Sequence, residues 1–154
     1  MYRIPVYKVS LVRERSHTVE CHIVTSPATA YQILNEFIGD ADREQFVILL
    51  LDTRNIVRGL HVASIGTLSA ALVHPREVFK PAMLANAAAI ILGHNHPSGD
   101  PTPSTEDLAL TARLMQSGEL LGIPVLDHLV LGHEIFISMK ERHLMEEHSC
   151  ADNA

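Results

Sequence analysis

Tryptophan is absent from this chain, aromatic residues make up only 5% of it, and two cysteines occur among its 154 residues. Cys21 and Cys150 lie far apart with no CxxC spacing, which excludes a disulfide framework. Cys21 reads as a small core hydrophobe and Cys150 as a tail residue. Long hydrophobic runs are missing too. No stretch approaches the roughly 20 apolar residues that a membrane helix needs, and the opening "MYRIPVYKVS" has no apolar signal core, so a cytoplasmic protein without a membrane partner is expected. Positive charge is in deficit: twelve Lys and Arg stand against eighteen Asp and Glu, a formal charge of −6. That sign is opposite to the footprint of a phosphate-backbone binder, and no basic run is interleaved with aromatics, so no strong nucleic-acid binding is expected.

What is present is a large aliphatic fraction. Hydrophobic residues reach 47%, mostly Leu, Ile, Val and Ala, enough for one domain over 1–154 with a substantial α/β or α+β core. "YKVSLVRER" and "VECHIV" read as extended segments within about 1–26. Ser26-Pro27 then opens a helix with a capping hydroxyl before Pro, followed by Ala30, Ile33, Leu34, Phe37 and Ile38 on one face, with Gly39 to end it. "EQFVILLLD" reads as a buried strand that turns through "DTRN" into "IVRGLHVAS", and "GTLSAALV" as a further strand. His74-Pro75 starts a second helix, in which Pro81 is an irregularity. "AAIILGHNH" predicts a strand, "STEDLALTARLMQSGELLG" a third helix, and "IPVLDHLVL" with "EIFISM" a hairpin around Gly132. The acidic end, from about 146 to 154, reads as a disordered tail.

The stretch "GHNHPSGDPTPSTEDLAL", residues 93–110, carries the chemistry. In a strand His94 and His96 project from the same face while Asn95 points away. After a turn-rich loop, Ser104 takes an N-cap position and Asp107 falls in the first helical turn. Capping alone explains Ser104 and Asp107, and an isolated HxH is as readily a satisfied polar pair as a metal ligand. Together, however, His94, His96 and Asp107 supply two nitrogens and one carboxylate oxygen, a set that leaves the fourth tetrahedral position of zinc open to water.

The spacing His94-x-His96, seven residues, Ser104, two residues, Asp107 resembles the JAMM (MPN+) metalloprotease motif. The longer "HNHPSGDPTPSTED" resembles its bacterial RadC-like branch, and so do "LLLDTRN", "SIGTLSAALVHPREVFKPAMLANAAAIIL" and "DHLVLG", from about Glu44 onward. The resemblance implies a mixed sheet packed by helices in the cytidine-deaminase-like JAB/MPN fold, with Zn2+ as cofactor and a peptide or protein as substrate. It also implies that Glu44 acts as general base and that the Ser104 hydroxyl stabilises the oxyanion. Glu36 and Glu77 fit the first role less well, since each sits on a predicted helix. Longer RadC-like proteins carry a helix-hairpin-helix region that is not among these residues, which weakens the transfer of a DNA-binding role with the resemblance.

Deaminase chemistry is disfavoured because the HxE and PCxxC elements are missing. The expectation is a zinc-dependent peptidase or isopeptidase. The alternatives are a non-hydrolytic partner-binding module and a DNA-repair or mobile-element accessory protein, and a homo-oligomer is left open. His61, His74, His128 and His133 are expected to be hydrogen-bonded structural residues, His22 and His148 give no signal, and Asn95, Ser98 and Asp100 are candidates to orient the ligands.

Overall fold

The computed structural model describes residues 1–66 and 73–146. Among these residues three helices, α1 (Pro27–Ile38), α2 (Pro75–Leu84) and α3 (Thr105–Leu121), pack on a sheet of five strands: β1 (Gln45–Leu51), β2 (Val57–Ile65), β3 (Ala89–Asn95), β4 (Val125–Leu131) and β5 (Phe136–Ser138). The spatial order is β2-β1-β3-β4-β5. Only β3 and β4 run parallel, as a strand–helix–strand crossover through α3 requires, and the other neighbours are antiparallel. This is the mixed α+β architecture that the resemblance implied.

Alternation along β1 divides the core. Phe46, Ile48 and Leu50 join Ile90, Leu92, Val78, Phe79, Leu110 and Leu114 beneath α2 and α3. Val47, Leu49 and Leu51 join Ile91, Leu129, Ala30, Ile33 and Leu34 beneath α1. A strand buried on both faces must read as an unbroken apolar run, and "FVILLL" does. The same parity carries into β3: His94 lies on the α3 face and Asn95 on the α1 face. Gly93 faces Leu34, where an added Cβ would come within 2.6 Å of the leucine side chain, so α1 approaches β3 as closely as a residue without a side chain permits.

The first helix starts as its sequence predicts, with Ser26 capping the Thr29 N–H and Pro27 in the first position. Gly39 stands at its C-cap but keeps right-handed helical angles, so it does not act as a left-handed stop; a side chain there would collide with Asn35. Pro81 lies inside α2 and is buried in the core without ending the helix. The extended reading of "YKVSLVRER" is corrected in one respect: these residues form no strand and lie exposed, because no sheet edge reaches them. "VECHIV" makes only an isolated bridge, between Ile23 and Ile56. Residues 67–72, the body of the strand expected in "GTLSAALV", and the tail from 147 lie outside the described residues. No helix among the described residues is long and apolar enough to cross a membrane.

Candidate metal centre

The C-terminal end of β3 and the N-terminus of α3 meet at one point. β3 delivers His94, and the chain running out of it delivers His96, whose N–H is held by the Leu131 carbonyl at 2.8 Å. A reciprocal capping box starts α3: the Ser104 side chain accepts the Asp107 N–H at 3.1 Å, and Asp107 Oδ2 accepts the Ser104 N–H at 2.8 Å. The capping reading of this pair is therefore correct, and it is also incomplete. Asp107 Oδ2 lies 3.3 Å from both His94 Nε2 and His96 Nε2, which are themselves 3.0 Å apart. These three side chains form a group able to hold a metal ion. His94 and Asp107 are buried and His96 is partly so.

The electrostatics of these side chains follow from this packing. Burial works against the Asp107 charge, but hydrogen bonds from His94 and His96 outweigh it and hold the carboxyl well below the usual range. His96 shifts the other way: its hydrogen bond to Asp107 raises its proton affinity, burial opposes, and the Asp100 carbonyl and the charges of Asp107 and Glu44 add to the rise. The positive end of α3 further favours a carboxylate at its first turn.

The ring orientations are fixed from behind. His96 Nδ1 lies 2.8 Å from the Asp100 carbonyl, which can only accept, so Nδ1 carries a hydrogen and Nε2 is the atom turned to the cluster. Asp100 thus orients a ligand through its backbone, while its carboxylate is spent on Thr102. His94 Nδ1 meets His128 Nε2 at 2.7 Å, and His128 Nδ1 meets Thr111 Oγ1 at 2.6 Å. The structural role expected of His128 therefore falls directly behind the centre. Burial, with the His94 charge adding to it, pushes His128 well below the ordinary histidine range. Phe46 packs against both rings, stacked on His94 at 6.0 Å and edge-on to His128 at 5.4 Å.

Asn95 serves the opposite side of the strand. Its Oδ1 accepts the Gln45 N–H at 2.8 Å and its Nδ2 donates to the Arg43 carbonyl at 3.0 Å, so one amide grips the backbone on both sides of Glu44. Asn95 does not touch the three clustered side chains by these bonds; it holds the entry to β1. Glu44, half-buried, also accepts the Gly66 N–H through its carbonyl at 2.7 Å. The register ends with Phe46 against His94, and Glu44, just before β1, lies near enough to His96 for its charge to raise that ring's proton affinity.

Glu36 is on α1, and Glu77 is in the first turn of α2, paired with Lys80 at 3.1 Å. His74 caps α2 by accepting the Arg76 N–H at 3.2 Å, which accounts for it. Thr111 carried no signal in the sequence, because a threonine within a helix is ordinary until the helix is docked. A cleft of about 200 Å³ opens beside His96, with Asp40 and His133 in its wall. A larger cavity of about 410 Å³ lies toward the start of β4, near Asp127, and contains none of the cluster.

Known proteins agree with this architecture. Residues 24–144 match the family model described as RadC-like JAB domain. A UPF0758 protein of Desulforamulus reducens is 50% identical over 123 residues, covering 80% of this chain and 54% of the relative. One from Moorella thermoacetica is 47% identical over 133 residues, covering 86% and 58%, and one from Methanosarcina mazei is 44% identical over 118 residues, covering 77% and 52%. The chain thus spans about half the length of these curated relatives, whose names state no activity. On this match, which takes in the histidine pair, the α3 cap and the whole sheet, the chain belongs to the RadC-like JAB domain family.

Proposed function

We propose that this chain is a zinc-dependent hydrolase that cleaves a peptide or isopeptide bond. The observation that carries this reading is the triangle of His94 Nε2, His96 Nε2 and Asp107 Oδ2, with edges of 3.0, 3.3 and 3.3 Å. Ligand atoms about 2.0–2.1 Å from a tetrahedral zinc stand about 3.3 Å from one another, so the donor set fits the ion in element, number and spacing. Zinc held by these residues would supply Lewis-acid chemistry, bringing the pKa of a water toward about 7 and polarising a carbonyl.

The chain's own residues supply the rest. Glu44, whose charge acts on His96, is the group to take the water's proton and return it to the leaving amine. Ser104 Oγ receives the Asp107 N–H on a lone pair, which leaves its own hydrogen free to donate to the carbonyl oxygen as charge develops there. The net charge of −6 argues for a protein rather than a nucleic-acid substrate.

The test begins with metal analysis of protein purified without added zinc or a nickel column, followed by profiling against peptide and isopeptide-linked libraries. About one zinc per chain with cleavage that chelation abolishes is the expected result. Bound zinc without cleavage of any library member would favour the partner-binding module, and failure to bind any divalent metal would end the proposal.

A further inference from the structure

We infer that Thr111 and His128 are positioning residues that set the tautomer of His94, through a chain of hydrogen bonds that starts at the backbone carbonyl of Asp107. Thr111 Oγ1 lies 2.6 Å from that carbonyl, a distance at which two oxygens attract only with a hydrogen between them, and the carbonyl has none to give. The threonine hydrogen therefore points at Asp107. Its oxygen, 2.6 Å from His128 Nδ1, must then accept, which puts a hydrogen on His128 Nδ1. The remaining His128 nitrogen, Nε2, has a lone pair, and 2.7 Å away His94 Nδ1 must donate to it. His94 Nε2 is left outside this chain of bonds, facing His96 and Asp107, where its lone pair can go to a metal or, without one, to a second proton shared with the Asp107 carboxylate.

The reverse polarity is chemically available and harmful. If Thr111 turned its hydrogen to His128, each ring would adopt the other tautomer, and His94 would present an N–H to the cluster where a metal needs a lone pair. The Asp107 carboxylate, 3.3 Å from His94 Nε2, draws an N–H there when no metal takes its place, and the Asp107 carbonyl fixes the other end by holding the Thr111 hydrogen, so His94 Nδ1 keeps its own hydrogen in either case. His128 is fully buried and its ring bonds only His94 and Thr111, with no carboxylate on either nitrogen to hold a second proton. Both histidines are thus set by backbone carbonyls: His96 directly by Asp100, and His94 through two side chains by Asp107, which also offers Oδ2 to the centre. A third bond from Thr111, toward Met139 Sδ at 3.7 Å, is too long and weak to compete.

This inference rests on the metal reading for its purpose but not for its test. Imidazole two-bond proton–nitrogen correlation spectra of the metal-free protein, recorded at a pH of about 8 where unperturbed rings are neutral, report which nitrogen carries the hydrogen. The expected result is His128 and His94 both protonated at Nδ1, and an Nε2–H tautomer for His128 in the wild-type protein would overturn the inference outright. Thr111→Val keeps the shape and removes the hydroxyl; it should switch His128 to the Nε2–H form and weaken zinc binding, measured by competition with a coloured chelator, by about 10- to 100-fold. Thr111→Ser should restore the wild-type tautomer and bring affinity back to within about threefold. Wild-type spectra and wild-type affinity in Thr111→Val would also overturn it. Should that variant fail to fold, the wild-type spectra decide alone. A protein with the expected tautomers that binds no metal would sink the proposed function and leave this inference standing.

Discussion

Asn95 stands between two histidines in sequence and behind them in space, and that separation can be measured. Its amide grips Arg43 and Gln45, so its loss should disturb Glu44 while leaving His94, His96 and Asp107 in place. Asn95→Ala should keep zinc and lower hydrolysis by about tenfold or more, since misplacing a reacting group by a fraction of an ångström costs that much. Glu44→Gln should be more severe: Gln keeps the shape but cannot take a proton, and a general base contributes about 10² or more. Near-normal turnover by zinc-loaded Glu44→Gln would transfer the search for a base to other acids. Removing a ligand has the opposite signature, because His94→Ala, His96→Ala and Asp107→Ala each take one of only three protein ligands and should lose or strongly weaken zinc. If Asp107→Ala binds zinc as tightly as wild type, its carboxylate only caps α3. At this scale the sequence was partly legible. The spacing of His94, His96 and Asp107 could be read directly, whereas the use of His128 depends on its place across a parallel strand pair, a register that no local pattern encodes.

The elements raise the question of how one serine can both cap a helix and serve a reaction. Ser104 accepts from Asp107 and holds no other ligand by that bond, so the two roles use different parts of the hydroxyl. Ser104→Ala should lose the cap, at a cost of about 1 kcal/mol. It should also lose the oxyanion donor, worth about 10²–10³ in rate. Ser104→Asp separates them, since Asp caps as well as Ser but has no hydrogen to donate: thermal stability should stay near wild type while hydrolysis remains low. Recovery of full activity in Ser104→Asp would remove the oxyanion role. The helices and the central strands were readable because each carries its own punctuation: Ser26-Pro27, His74-Pro75 and Ser104 at the starts, and unbroken apolar runs for β1 and β3. "YKVSLVRER" has the composition of a strand but no partner, and pairing is a property of two segments rather than one.

For the whole molecule, the same buried histidine that sits behind the centre should govern how the metal-free protein responds to acid. His128 has its folded pKa pushed well below the ordinary value by burial, and next by the charge of His94. The unfolded chain takes up a proton at a pH of about 6.5 that the folded chain refuses, so the folded state is at full advantage above that pH and loses it as pH falls toward the folded value. Asp107 acts in the same direction lower down: its folded pKa is depressed, so its contribution is present above the usual carboxylate range and lost as pH falls through it. His96 opposes both. Its folded pKa is raised, chiefly by Asp107, so its contribution is present below about 6.5 and lost as pH rises through the folded value. His61 and His74 are lowered too, by burial first, but solvent reaches both and screens the effect. The fully buried group should win. Urea unfolding of metal-free protein at pH values of about 7.5 and 5.5 should show lower stability at the acid value, and His128→Gln should flatten or reverse that slope by leaving His96 unopposed. Zinc-loaded protein should show a steeper loss in acid, because protons also displace the metal from its nitrogens. A metal-free wild type at least as stable in acid as at neutral pH would show that His128 takes up its proton in the folded state, and the balance drawn between it and His96 would be wrong.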